Sequence, residues 1–176
     1  MQVCTGAEKR VRSYRGSVDR TSLVAEFWQW CRARLPELPE QEPEAWAFGA
    51  DPTQADALLG LVLSGIKTAT ASSLWDYEYA GDRVPESGEL SIILNGQGKP
   101  RALIETTQVD VIPFDRVSQE HAHAEGEGDR TLAYWSSVHQ RYWQEHSESP
   151  RGFEPDMPVV LERIRLLLHA DNPIGS

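Results

Sequence analysis

Apolar residues recur at helical spacing from Thr21 onward. Leu23, Phe27 and Cys31 form one row, Val24, Trp28 and Leu35 lie beside it, and the pattern stops at Pro36. This predicts an amphipathic first helix packed on a core. The following stretch, Leu35 to Glu44, holds three prolines and four glutamates and is expected to cross the surface as an extended connection. A second helix is well punctuated. Asp51 can cap it, Pro52 suits its first turn, Ala55, Leu58, Leu59 and Val62 make one face, and Gly65 can close it in the left-handed conformation. It delivers the chain to Lys67. Lys67 to Ser73 reads as a short strand or extended segment, and Leu74 to Ala80 as a turn rich in aromatics.

The clearest alternation follows. Leu90–Leu94 and Ala102–Val111 are β-rich runs separated by Asn95-Gly96-Gln97-Gly98, whose residues accept the positive φ of hairpin turns, so an antiparallel hairpin is predicted. Leu132, Trp135, Val138, His139 and Tyr142 mark a third helix, with Asp129 as its expected cap. Val159 to Leu168 reads as a last strand with Val160, Ile164, Leu166 and Leu168 on one face. Helices first, then strands interrupted by a helix, without βαβ alternation, point to an α+β domain. A closed or nearly closed small barrel would protect its strand edges.

A length of 176 residues suits one core. We expect a flexible leader over 1–18, one domain over 19–170 and a flexible tail over 171–176. Net charge is −10, and residues 1–20 carry five basic against two acidic side chains, so the body is more acidic still. Such a body repels phosphate backbones, which argues against broad binding to duplex nucleic acid. Cys4 and Cys31 have neither disulfide-framework nor zinc-ligand spacing, no apolar run reaches the length of a membrane span, and a reducing cytoplasm is expected.

Two segments carry candidate chemistry. In Ser64–Ser72, Lys67 and Thr70 follow a helix stop, but on an extended chain an odd separation points them to opposite faces, so both address one cleft only if the chain bends. The bland reading is a helix cap, an exposed lysine and a threonine-rich edge strand. The second segment, His121 to Asp129, is acidic and glycine-flanked. Its His121, His123, Glu125, Glu127 and Asp129, with Glu120 just before them, are of metal-ligating type, but a solvated acidic loop is the reading the composition favours.

Several ordered motifs resemble the ASCH family: Trp46-Ala-Phe-Gly, the Lys67 segment, Ser73-Leu-Trp-Asp-Tyr-Glu78, Ile104-Glu-Thr-Thr107, Ala124-Glu-Gly-Glu-Gly-Asp129 and Asp156-Met-Pro-Val-Val160. The resemblance implies a PUA-like fold, a small β-barrel flanked by helices, here with an N-terminal helical extension. Within the family, bacterial amidohydrolases that deacylate acetylcytidine use a Lys, a Thr and a Glu, which correspond by motif to Lys67, Thr70 and Glu127. It implies that Thr70 attacks the acyl carbonyl or positions water, that Lys67 activates the hydroxyl or stabilises negative charge, and that Glu127 orients the lysine and shuttles the proton. Trp75, Tyr77, Ser72, Glu105 and Glu125 are the substrate-binding candidates. Ser72 stands where the family motif has an arginine, and the interval from Lys67 to Glu127 exceeds that of small members. No metal or organic cofactor is implied, and the implied partner is a small modified nucleoside. Family likeness also leaves open a single-stranded RNA-binding or metal-dependent ribonuclease module, with a basic groove from Lys67, Arg83, Lys99 and Arg101, and a ligand sensor without turnover.

Overall fold

The computed structural model describes residues 18–171; the predicted leader, but for Val18, and the tail after Asp171 lie outside the described residues. Helix α1 (Val18–Arg34) is followed by strand β1 (Glu44–Trp46), helix α2 (Pro52–Leu63), strand β2 (Ala69–Ser73) and helix α3 (Leu74–Ala80). Then come β3 (Leu90–Leu94), β4 (Pro100–Pro113), a 3-10 turn (Phe114–Arg116), α4 (Gln119–Glu125), α5 (Leu132–His146) and β5 (Pro158–His169). The strands form one curled sheet, a half-barrel, in the order β1-β3-β4-β5-β2, with β1 parallel to β3 and every other pair antiparallel. Strand β1 escapes the sequence reading because three residues after a proline-rich connection carry no period.

The sheet is buried on both faces around β3. Ile92 and Leu94 pack with Leu103 against Val24, Phe27, Trp28 and Cys31 of α1, whereas Ile93 packs with Ala102 and Ile104 against Leu58, Leu59 and Val62 of α2. Such a strand reads as a continuous apolar run, and each fully buried Leu or Val contributes roughly 1.5–3 kcal/mol. At the other end of β5, Val159 and Leu161 join Ala71, Trp75, Phe114, Ala122, Trp135 and Trp143 in a third cluster beneath α3, α4 and α5.

Strand β4 is longer than predicted because two register shifts, at Leu103/Ile104 and Thr106/Gln108, let it follow β5 along its length while curling. The first shift places Leu103 opposite Leu168 but Ile104 opposite Leu166, leaving Leu167 as the extra residue. The predicted single face of β5 is therefore broken: Ile164 and Leu166 pack on the α2 side, Leu168 with the α1 cluster.

The helix caps follow the sequence in α2, where Asp51 Oδ1 accepts from the amides of Thr53 and Gln54 at 2.8 and 3.0 Å and Gly65 turns with φ +73°. Three expectations are corrected. Leu74–Ala80 is a helix, because the Ser73 hydroxyl accepts from the Asp76 amide and Gly81 closes the turn with φ +70°. Helix α5 is capped by Thr131; Asp129 Oδ1 instead holds the Thr131 amide and hydroxyl at 2.9 and 2.7 Å. The supposed acidic loop is largely helix α4, capped by Ser118 and closed by Gly126. In the hairpin, Gly98 supplies the positive φ, while Gly96 is required for another reason: a Cβ there would lie 2.2 Å from the Pro52 carbonyl oxygen.

Two glycines should respond oppositely to alanine. Gly126 has φ +77°, and a Cβ would meet Ile66 O at 2.8 Å, so Gly126→Ala is expected to lower stability by about 2 kcal/mol or more in urea unfolding. Gly60 lies inside α2, and nothing comes within 4 Å of the place an alanine methyl would take, so Gly60→Ala should gain about 0.5–1 kcal/mol.

Candidate active site

Helix α2 ends with Gly65, and the amides of Ile66 and Lys67 both return to Leu61 O at 2.9 and 3.0 Å. The Thr68 amide then leaves α2 for Ala124 O at 2.7 Å, and only from Ala69 does the chain enter β2. Lys67 therefore lies before the strand, and the alternation that would oppose it to Thr70 does not apply. Across from it, α4 stops at Glu125, and Gly126 lies directly against Ile66. Gly128, with φ +54°, fits under the Tyr134 ring, where a Cβ would clash at 2.3 Å. These two close approaches fold Glu125-Gly126-Glu127-Gly128 so that both carboxylates reach Lys67.

Lys67 is 2 % exposed, and its Nζ lies 3.0 Å from Glu127 Oε1, 3.3 Å from Glu125 Oε2 and 3.5 Å from the Glu125 carbonyl oxygen. Nζ also stands 5.8 Å from the centroid of the Phe48 ring, a cation–π distance. A lysine this deep must be paired, since an isolated buried ammonium is very costly.

The two acids have different surroundings. Glu125 is completely buried, and its Oε1 accepts from Trp135 Nε1 at 2.6 Å and His121 Nε2 at 3.0 Å, while Oε2 faces Lys67 and, at 3.5 Å, His139 Nε2. That last approach lacks hydrogen-bond alignment and is an electrostatic contact only. His139 Nδ1 lies 2.9 Å from Trp135 O and must be the protonated nitrogen there, and its ring stacks on Trp135 with centroids 4.1 Å apart. Burial pushes the Glu125 carboxyl up, but Lys67, His139 and the hydrogen bond from His121 together hold it well below the usual carboxylate range. Glu127 goes the other way. Burial raises it, the neighbouring Glu125 charge adds to the rise, and Lys67 offsets only part. Its Oε2 has no hydrogen-bond partner. Two acids sharing one lysine are thus shifted in opposite directions, Glu125 down and Glu127 up.

Thr70 is 2 % exposed, and its Oγ1 has no partner either. It stands opposite Glu162 in the β2/β5 ladder, two residues along β5 from Ile164, and so faces the side of the sheet packed by α2 and Phe48. That is the side on which the Lys67 ammonium lies. Ser72, half-buried opposite Val160, follows on the same face. The remaining candidates lie elsewhere. Trp75 sits in the third apolar cluster with the Arg151 guanidinium 3.5 Å above its ring, Tyr77 is buried on α3, and Glu105 forms a cross-strand ion pair with Arg165. His121 and His123 diverge, one buried on Glu125, the other exposed beside Arg130, and no cluster of metal-ligating residues occurs among the described residues. Of the supposed basic groove, Lys67 is buried, Arg83 pairs with Glu89 at 3.0 Å, and Arg101 donates to the carbonyls of Ala170 and Asp171.

Sequence reasoning missed the support under Glu125. Its signal was present: His121 and Glu125, and Trp135 and His139, are each four apart and share a helical face. The first pair becomes legible only once α4 is recognised as a helix.

The same segments carry the likeness to known proteins. The ASCH domain family model matches residues 44–167. The chain belongs to the ASCH domain family. A crystal structure of protein EF3133 from Enterococcus faecalis superposes with a TM-score of 0.76 at 37% identity, covering 84% of this chain and 89% of that one. An ASCH domain from Lactobacillus crispatus superposes with a TM-score of 0.71 at 29% identity, covering 87% of this chain and 97% of the other. No protein of curated function matches the chain. No helix among the described residues of this ASCH protein is long and apolar enough to cross a membrane.

The split between the acids has a thermodynamic signature. Glu125→Gln should destabilise the fold by about 3 kcal/mol in urea unfolding, because it removes one charge of a fully buried ion pair and leaves Lys67 with the Glu127 carboxylate alone. The lowered carboxyl of Glu125 contributes stability above its unfolded value of about 4.5 that is lost as pH falls through its lower folded value. The raised carboxyl of Glu127 contributes stability present below about 4.5 that is lost as pH rises through its folded value. The stability of Glu127→Gln relative to wild type should accordingly improve as pH rises above 4.5; a difference independent of pH would contradict the assignment.

Proposed function

We propose that this ASCH protein is an amidohydrolase that removes an acyl group from the exocyclic amine of cytidine-type nucleosides such as acetylcytidine. The observation that carries the reading is a pair of buried, unpartnered oxygens, Thr70 Oγ1 and Glu127 Oε2, on the side of the sheet that holds the fully paired Lys67 ammonium. Buried polar atoms are normally satisfied, and orphaned ones mark places where a ligand supplies the missing partner.

An amide needs a nucleophile, a proton carrier and a cation or donor at the developing oxyanion. Thr70 attacks the acyl carbonyl carbon, and its proton passes to Glu127, whose raised carboxyl is matched to taking a proton and giving it back. Lys67 stabilises the oxyanion. Collapse breaks the C–N bond, Glu127 returns the proton to the leaving nitrogen, and water then hydrolyses the acyl-threonine by the same route. Glu125 has no exposed atom and touches no substrate; it fixes the lysine and keeps one negative charge in place, so that Glu127 is the acid that titrates.

The acidic body also favours a small nucleoside over an extended strand, since Arg83 and Arg101 are taken up by protein partners. Lys67→Ala, Thr70→Ala and Glu127→Gln should each lower kcat/KM for acetylcytidine by about 100-fold or more. The kcat/KM of the wild type should rise with pH as Glu127 ionises, along a limb displaced upward from the ordinary 4.5. Wild-type inactivity on acylated cytidines, or full activity of all three variants, would sink the proposal.

A further inference from the structure

The segment that carries Glu127 ends on a strained residue. Among the described residues Arg130 is the one non-glycine with a positive φ, +63°. The same segment uses glycine at positions 126 and 128, where φ is also positive, yet an arginine stands at the third such position, in a conformation that is costly for any residue with a Cβ. Its backbone amide donates to the Glu127 carbonyl oxygen at 2.9 Å and closes the turn from Glu127 to Arg130. The side chain accounts for the choice of arginine. Nε donates to the His123 carbonyl oxygen at 3.1 Å, and a terminal nitrogen donates to His123 Nδ1 at 3.3 Å, so the guanidinium folds back onto the last turn of α4 and takes up one of its free carbonyls. The same His123 oxygen accepts from the Gly126 amide at 3.2 Å, so both ends of the segment from Gly126 to Arg130 hang on one carbonyl. Gln119 completes the clamp: its side chain donates to the Arg130 carbonyl oxygen at 2.9 Å and accepts from the Leu132 amide at 2.8 Å.

We infer that Arg130 is a positioning residue for Glu127: by pinning the far end of the turn to α4 it holds the Glu127 carboxyl against Lys67. Its effect on turnover rests on the reading of Glu127 as the proton carrier. Gly126 and Gly128 let the chain pass close to Ile66 and Tyr134, but glycine permits a path without enforcing it. An anchor beyond Glu127 removes that freedom, and the strained backbone of Arg130 persists because its side-chain contacts over-determine it. Arg130 touches no reacting atom; it acts through the main chain of Glu127 alone.

Arg130→Gly keeps the left-handed backbone without a steric cost and removes only the guanidinium, so this variant should fold. In turnover of acetylcytidine its kcat should fall roughly three- to ten-fold, the range of one lost hydrogen bond, with KM nearly unchanged. A second measurement needs no turnover. The Glu127 side-chain carboxyl carbon, assigned by its absence in Glu127→Gln, is followed against pH by NMR. In the wild type burial, the largest influence, places its midpoint above 4.5, and Lys67 offsets only part. A loosened turn in Arg130→Gly loses both influences, so the midpoint should move down toward 4.5. A purely structural arginine would lower stability in urea and leave this titration where it was. An unmoved midpoint, or full activity of Arg130→Gly beside an active wild type, overturns the inference. If the wild type does not turn over acetylcytidine but the midpoint moves, the substrate assignment falls and the positioning of Glu127 by Arg130 stands.

Discussion

The buried ammonium of Lys67 is the constraint on which the rest of this structure turns. A lysine that has lost its water must recover the cost in paired charge and hydrogen bonds, and here both carboxylates that do so come from one short segment, Glu125 and Glu127. Bringing two acids from so short a segment onto one ammonium requires backbone that only glycine supplies, at Gly126 against Ile66 and Gly128 under Tyr134. Packing and electrostatics are thus one requirement: the site exists where α4 ends against the exit from α2.

The acids are not equivalent, and their difference comes from what lies behind them. Glu125 is backed by Trp135 and His121, which use its lone pairs, and by His139 in electrostatic contact, and these hold its carboxyl low. Glu127 has the lysine on one oxygen and nothing on the other. One lysine thus stands between a carboxyl held below its ordinary range and one raised above it, inside a dry site. The aromatic cluster around Trp135, Phe114 and Trp143 is accordingly more than filler; it sets the position of the indole that donates to Glu125.

Much of the fold was legible along the chain. The two N-terminal helices, the hairpin around Asn95–Gly98, the third long helix and the last strand follow from apolar spacing, caps and turn residues, because those signals act over a few residues. Short elements were not. Three-residue β1 has no period, and α3 and α4, seven residues each, depend on single capping hydroxyls from Ser73 and Ser118 that compose equally well with a turn. The even face expected of β5 failed because a bulge at Leu167 changes register, and a bulge is a property of two strands.

For the site, the sequence by itself determined the chemical types, and family likeness supplied the expectation that Lys67, Thr70 and Glu127 act together. Residue spacing left Lys67 and Thr70 on opposite faces and His121–Asp129 as a solvated loop. Only the tertiary structure decided that Lys67 lies before the strand, that the acidic segment is a buried helix end, and that Glu125 is sealed beneath the lysine while Glu127 is left with a free oxygen. The physical reason is that charge state and burial are set by atoms far apart in the chain: the lysine meets its acids about sixty residues later, across a contact between two helix ends that no local pattern encodes.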